Sequence, residues 1–133
     1  MEIRNLGNSG LRLSLAGLGC NNFGGRIDEA ASKKVIDKAF DLGITHFDTA
    51  DVYGHFGPSG KEDFSGKGGS ERVLGKYLGE RRKEIVLATK FAQPMTPGAR
   101  RDASRGYVVK AIEASLTRLK TDWIDLYYVH FND

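Results

Sequence analysis

Short apolar runs alternate with longer segments of helical period from about residue 14 onward, and this alternation constrains the fold more than any other feature. The apolar runs cover residues 14–19, 44–48, 85–89 and 124–129. Between them, apolar side chains recur every three to four residues, which predicts helices over residues 28–42, 70–78 and 104–119. Repeated strand–helix units of this kind build a parallel sheet. The sequence therefore predicts an α/β fold of about four βα units.

A short hairpin is predicted ahead of these units. Residues 2–6 and 11–15 have the character of strands, and they flank the turn-forming quartet Gly7-Asn8-Ser9-Gly10. We divide the chain into a hairpin at residues 1–15 and βα units at residues 14–133, within one domain. The hairpin is expected to cover one end of the fold.

Composition excludes several classes of partner. Twenty Lys and Arg residues against 17 Asp and Glu residues leave a charge of only +3, which is too weak and too scattered for a nucleic-acid surface. One cysteine and three dispersed histidines provide neither a disulfide nor a metal site. No apolar run approaches the roughly 20 residues of a membrane span, and Met1 leads into polar residues. We expect a cytoplasmic protein without a metal.

Three of the predicted strands end on a chemically active side chain. These side chains are Asp48, Lys90 and His130. Because the carboxyl ends of parallel strands form one face of the fold, the three groups should converge although they lie far apart in sequence. Strand alternation places them on the faces that would line a barrel interior, together with Ile44, His46, Val86, Ala88, Leu126 and Tyr128.

Tyr53 follows Asp48 closely enough for its loop to bring the hydroxyl over the same face. A phenol releases its proton near neutral pH only when a neighbouring cation stabilises the anion, and Lys90 is the candidate cation. Asp48 would hold that ammonium in place. His130 would donate a hydrogen bond to a substrate carbonyl oxygen and orient it. Together the four residues form a candidate catalytic acid, Tyr53, whose anion is stabilised by the charge of a neighbouring lysine.

Four motifs resemble successive signatures of the aldo-keto reductases. They are Gly17-Leu-Gly-Cys-Asn-Asn-Phe-Gly24, Asp48-Thr-Ala-Asp-Val-Tyr53, Ala-Thr-Lys90, and the segment Leu119-Lys-Thr-Asp-Trp-Ile-Asp-Leu-Tyr-Tyr-Val-His130. The resemblance implies a (β/α)8 TIM barrel and reduction of aldehydes or ketones by NADPH. It assigns Tyr53 as proton donor, Lys90 and Asp48 as its tuning pair and His130 as substrate orienter. It also implies that Gly19, Cys20, Asn21 and Asp48 contact the cofactor.

The resemblance accounts for the N-terminal half of such a barrel. Four βα units are present where the family has eight, and the family holds most of its NADPH-binding residues in the other half. Two open strand edges and an uncovered concave face favour self-association or pairing with the missing half-barrel. We therefore expect a fragment or truncated form with impaired activity.

Two alternative functions are consistent with these residues. One is a non-catalytic, cofactor-sensing module, because channel auxiliary subunits resemble these reductases. The other is an isomerase or aldolase that forms a Schiff base on Lys90, which requires an uncharged amine.

The remaining polar residues and glycine motifs receive structural interpretations. His46 is expected to line the barrel, His55 to be a loop residue and Cys20 to be buried packing. Asp51 is expected to lie in a solvated loop, with a second role near the mouth as the alternative. Gly17-Leu-Gly19 lacks the third glycine of a dinucleotide fingerprint, and Gly66-Lys-Gly-Gly-Ser70 departs from the phosphate-loop pattern. We expect the second motif to be a flexible loop whose Ser70 caps the following helix.

Overall fold

The computed structural model describes residues 1–132, which form a hairpin followed by alternating strands and helices. In chain order the elements are β1 (Ile3–Asn5), β2 (Arg12–Ser14), β3 (Gly17–Gly19), α1 (Glu29–Asp41), β4 (His46–Asp48), α2 (Gly69–Tyr77), β5 (Val86–Phe91), α3 (Arg105–Leu119) and β6 (Leu126–Val129). Two short 3-10 segments, Phe64–Gly66 and Gly79–Glu84, precede and follow α2.

Strands β3 to β6 form one parallel sheet in chain order. The register sets Asp48 opposite Ala88 and Lys90 opposite Tyr128. Each neighbouring pair of strands is joined by a crossover connection, as parallel pairing requires. The predicted α/β fold with four parallel strands is confirmed. Across the described range, no helix is long and apolar enough to cross a membrane.

The hairpin is also confirmed, and it lies at the amino end of the sheet. β1 and β2 pair antiparallel, and Ser14 joins β2 to the start of β4. The Ser14 N–H donates to Thr45 Oγ1 and the Thr45 N–H donates to Ser14 Oγ, both at 2.9 Å. The predicted strand over residues 14–19 was wrong at its start, because Ser14 belongs to the hairpin and β3 begins at Gly17.

Side-chain caps begin α1 and α3 but not α2. Asp28 accepts from the Ala31 N–H, and Ser104 accepts from the Tyr107 N–H. The predicted Ser70 cap was wrong, because α2 is preceded by Gly68 at φ 79° and Ser70 lies inside the helix. Ser70 Oγ donates to Cys20 O at 2.7 Å and accepts from Thr49 Oγ1 at 2.8 Å. The Ser70 hydroxyl therefore bonds to two residues outside its own helix, and no side chain among the described residues accepts a capping hydrogen bond at the start of α2.

The apolar core lies between the sheet and the helices. Its fully buried members include Ile36, Phe47, Leu74 and Leu87, one from each of α1, β4, α2 and β5. A smaller cluster beside α3 contains Phe91, Ala92 and Ala111. This packing on the outer side of the sheet holds the strands at fixed spacing, so that side chains at their carboxyl ends have defined positions.

Helices α2 and α3 pack closely against each other at Gly75. A Cβ atom at Gly75 would lie 2.2 Å from Arg118 O and 2.8 Å from the Leu119 carbonyl carbon. Both neighbours are backbone atoms and cannot move away like the end of a flexible side chain. Glycine is therefore required here by helix packing.

Gly75→Ala should lower the free energy of unfolding by about 2 kcal/mol or more, because the methyl group forces the two helices apart. Gly106→Ala is the matched control, since Gly106 lies in α3 and, apart from its chain neighbours and its own helix backbone, no atom lies within 4 Å of the position that a Cβ would occupy there. Alanine at that position should be neutral or stabilising by up to about 1 kcal/mol. Urea unfolding of the two variants measures the difference, and equal free energies would contradict the close-packing argument.

Candidate active site

The carboxyl ends of β4, β5 and β6 bring Asp48, Lys90 and His130 to one face, as predicted. Asp48 is the last residue of β4, and Lys90 lies one residue before the end of β5. His130 directly follows β6, and its backbone N–H donates to Phe91 O at 2.9 Å. Backbone hydrogen bonds between the strands therefore fix the position from which each of the three side chains projects.

The Lys90 ammonium group joins the elements of the site. Its Nζ donates to a carboxylate oxygen of Asp48, to Thr49 O at 2.8 Å and to Tyr53 Oη at 3.1 Å. An ammonium has three N–H donors, so these acceptors use all of them. The Lys90 side chain is 13% exposed and that of Asp48 is 30% exposed. The positive charge of Lys90 is thus mostly buried and lies beside the phenolic oxygen of Tyr53.

The segment that carries Tyr53 is tied to the scaffold on two sides. The Asp51 N–H donates to Lys90 O at 3.1 Å, which connects the segment to β5. Tyr53 O accepts from the Ser70 N–H at 3.1 Å, which connects it to α2. A turn hydrogen bond from the Tyr53 N–H to Ala50 O closes the segment on itself. Tyr53 therefore sits in a bonded turn rather than a free loop.

His130 lies edge-on to Tyr53, with ring centroids 5.5 Å apart. Burial, and then the positive charge of Lys90, lower the pKa of His130 to about 4, while Asp48 acts in the opposite direction. The imidazole is neutral at pH 7 and has one N–H donor and one acceptor. Its Nδ1 is buried and has no hydrogen-bond partner among residues 1–132.

A cavity of about 240 Å³ opens beside Tyr53 and His130. The rest of its wall is formed by Val52, His55, Glu62, Lys67, Gln93 and Phe131. Lys67 is buried, donates to Pro94 O at 2.6 Å and pairs with Glu62 at 3.4 Å, so that it links the two long loops at the mouth. Sequence reasoning assigned no role to Lys67, and its setting within glycine-rich sequence gave no signal of burial.

The residues expected to contact a cofactor differ in accessibility. Gly19 and Asn21 are exposed, and no atom lies within 4 Å of the position of a Cβ at Gly19. Cys20 is fully buried, its N–H donates to Asp48 O at 2.8 Å, and burial raises the pKa of its thiol. Cys20 thus offers no accessible atom and packs as predicted.

Asp51 was predicted to be solvated, and this was wrong. Its exposed fraction is 1%, and it lines a cavity of about 200 Å³ beside α3 together with Tyr107 and Arg118. A position in a loop favoured the prediction that Asp51 is exposed. The packing of a later helix, α3, buries it instead.

The chain is similar to reductases of known sequence. The model of the aldo/keto reductase family matches residues 16–133. The uncharacterized oxidoreductase YqkF of Bacillus subtilis is 39% identical, with 98% of this chain and 39% of that protein covered. The L-glyceraldehyde 3-phosphate reductase of Escherichia coli K12 is 36% identical, with 98% of this chain and 36% of the enzyme covered.

Solved structures agree with the sequence relatives. The holo form of an aldo-keto reductase from Bacillus halodurans superposes with a TM-score of 0.84 at 37% identity, covering all of this chain and 41% of the other. A putative aldo-keto reductase from Pseudomonas aeruginosa gives a TM-score of 0.80 at 34% identity, covering 98% and 47%. The chain thus spans less than half the length of these relatives. It belongs to the aldo/keto reductase family and corresponds to the N-terminal half of the family's (β/α)8 barrel.

Proposed function

We propose that this chain carries the catalytic residues of an NADPH-dependent reductase that converts aldehydes or ketones to alcohols, with Tyr53 as the proton donor. The observation that carries the proposal is the Lys90 ammonium, which contacts both the Asp48 carboxylate and the Tyr53 hydroxyl. Membership of an oxidoreductase family supports the same chemistry.

The face around Lys90 fits a nicotinamide cofactor. The exposed backbone at Gly19, the exposed Asn21 and the partly exposed Asp48 lie at the carboxyl ends of β3 and β4, where ligands of parallel α/β folds bind. Gly19 and Asn21 would hold the cofactor directly, and Cys20 would support them from the core. NADPH, when bound, supplies the hydride that reduces the carbonyl carbon.

Tyr53 delivers the proton in this proposal. Its Oη gives a proton to the carbonyl oxygen as negative charge develops there, and the phenolate that remains lies 3.1 Å from the Lys90 ammonium. Asp48 and the carbonyl of Thr49 hold the ammonium in position during this transfer. The charge on Lys90 therefore stabilises the product of the proton transfer.

His130 orients the substrate. As a neutral imidazole it can donate a hydrogen bond to the carbonyl oxygen without competing with Tyr53 as the acid. The adjoining cavity of about 240 Å³ is of a size for a small carbonyl compound. The relative that reduces L-glyceraldehyde 3-phosphate supports a small carbonyl substrate for this chain as well.

The structure disfavours a Schiff-base enzyme. Such an enzyme needs a free amine at Lys90, whereas all three donors of the ammonium are engaged and one of them pairs with Asp48. The presence of the complete constellation of Asp48, Tyr53, Lys90 and His130 favours an enzyme over an inactive binding module. Borohydride trapping with a carbonyl substrate distinguishes the first alternative, and steady-state turnover distinguishes the second.

Tyr53→Phe in the complete barrel should lower kcat by at least about 10²-fold and leave NADPH binding nearly unchanged, because only the proton donor is lost. Tyr77→Phe is the matched control, since that hydroxyl donates to Glu29 on the helical side of the fold. Steady-state kinetics and fluorescence titration with NADPH measure the two effects. Turnover near that of the parent protein would rule out the role given to Tyr53.

Lys90→Met should likewise lower turnover by about 10²-fold or more and change the pH dependence of the remaining activity, because the phenolate loses its counter-charge. Lys76→Met removes a comparable ammonium from an exposed ion pair with Glu29 and should leave both quantities unchanged. Rate measurements across the pH range provide the test. A partly active Lys90 variant with an unaltered pH profile would contradict the pairing with Tyr53.

The parallel sheet has two unpaired strand edges among the described residues. β3 and β6 are the outer strands of the parallel sheet, and Tyr128 and Val129 of β6 are exposed. In a closed barrel each edge pairs with a neighbour about 4.8 Å away. We propose that this chain is cytoplasmic and that it pairs with itself or with the remaining half-barrel. We also propose that alone it is a weak reductase, because the family's other cofactor-binding residues lie in that half.

Light scattering at micromolar concentration should show a dimer or higher assembly of the isolated chain. Tyr128→Lys should shift the population towards monomer, because it places a charge on the concave face that association buries. Val109→Lys is the control, since Val109 is exposed on the outer helix α3. A stable folded monomer of the parent chain would refute self-association.

A further inference from the structure

Asp51 is the least expected group in the fold. It is 1% exposed, and neither carboxylate oxygen accepts a hydrogen bond of ordinary geometry from the part of the chain that the structure describes. Buried ionised carboxylates are normally paired or multiply hydrogen-bonded, because an unpaired buried charge is strongly unfavourable. The surroundings of Asp51 therefore suit a protonated acid better than an anion.

Two of the neighbouring cations, Arg118 and Lys67, are already engaged by other groups. Arg118 Nε donates to Glu71 Oε2 at 2.6 Å, and Arg118 Nη2 donates to Ser115 Oγ at 3.3 Å. Lys67 is held by Pro94 O and Glu62. Two buried carboxyl groups thus share the influence of Arg118, whose side chain is 18% exposed, and Glu71 has the direct contact. The charged and titratable groups around Asp51 are Lys67 in the loop before α2, Glu71 on α2, Tyr107, Lys110 and Arg118 on α3, and Tyr127 on β6.

The electrostatics agree with this geometry. Burial, and then the negative charge of Glu71, raise the pKa of Asp51 from 3.8 to about 7, and Arg118, the Val52 backbone N–H and Lys67 lower it by less. Tyr127 Oη, whose pKa is raised chiefly by burial and then by Asp51, also has no hydrogen-bond partner within residues 1–132. A proton on Asp51 removes the repulsion from Glu71.

We propose that Asp51 is a buried proton-binding site that controls the conformation of the segment carrying Tyr53. With the carboxyl protonated, residues 49–53 keep the packed turn in which the Asp51 N–H donates to Lys90 O. Loss of the proton leaves an unpaired charge beside Glu71, which drives the side chain towards water and loosens the turn. The inference concerns the segment itself and does not depend on Tyr53 being the catalytic acid.

The sign of the pH dependence follows from the raised pKa. Between about pH 4 and pH 7 the folded chain binds the Asp51 proton more tightly than the unfolded chain does. The stabilisation is complete below about pH 4, declines as the pH rises, and is lost above about pH 7. Acidification from neutral pH thus strengthens the turn through this group.

Carbon-13 NMR of aspartate-labelled chain, followed by amide hydrogen exchange, tests the proposal. One carboxyl resonance of the parent chain should titrate near pH 7 and be absent from Asp51→Asn, a neutral replacement of the same shape. Protection of the Asp51 and Tyr53 amides, corrected for intrinsic exchange, should fall roughly tenfold between about pH 6 and pH 8.5 in the parent chain. It should stay constant in Asp51→Asn.

Asp41→Asn is the matched control, because Asp41 is exposed at the end of α1. This variant should keep both the titration near pH 7 and the pH-dependent protection. The proposal is overturned if every aspartate of the parent chain titrates near its ordinary value, or if Asp51→Asn loses protection as the parent does. Should Asp51→Asn fail to fold, the titration and exchange of the parent chain alone decide the outcome.

Discussion

The ammonium of Lys90 is the contact on which the geometry of the site depends. It lies on β5 but binds the carboxylate that ends β4, the following carbonyl of Thr49 and the hydroxyl of Tyr53. The three N–H groups therefore bind three residues within the segment 48–53. Since the ammonium is mostly buried, its charge needs all three partners, and this requirement orders the turn between β4 and α2.

A second polar layer lies behind this contact, on the helical side of the sheet. Thr89, the neighbour of Lys90 in β5, donates to Glu71 Oε1 at 2.6 Å, and Arg118 donates to the other oxygen of that carboxylate. Alternation along the strand thus places one polar side chain at the mouth and the next in the buried layer. The proposed proton site at Asp51 belongs to this layer, which explains how a group that does not face the mouth can affect it.

The chain corresponds to half of a barrel, and this determines which parts of a reductase site can lie at the carboxyl ends of its strands. The proposed acid lies in the turn after the second parallel strand, and its ammonium and the substrate-orienting imidazole lie at the carboxyl ends of the third and fourth. By contrast, β3 and β6 end the sheet with unpaired edges, and Tyr128 and Val129 of β6 are exposed. The proposed chemistry is therefore concentrated in this part of the barrel, whereas enclosure of the proposed cofactor would require further strands and helices.

Local sequence determined the alternation of strands and helices, the hairpin, and the placement of Asp48, Lys90 and His130 at strand ends, because periodicity and the parallel topology depend on neighbours along the chain. Tertiary structure alone decided the positions of Ser70, which bonds to a strand instead of capping its helix, and Asp51, which is buried instead of solvated. Both depend on the packing of elements tens of residues away. Local pattern carries no information about which distant backbone will cover a polar side chain, so burial of these groups became visible only in the folded chain.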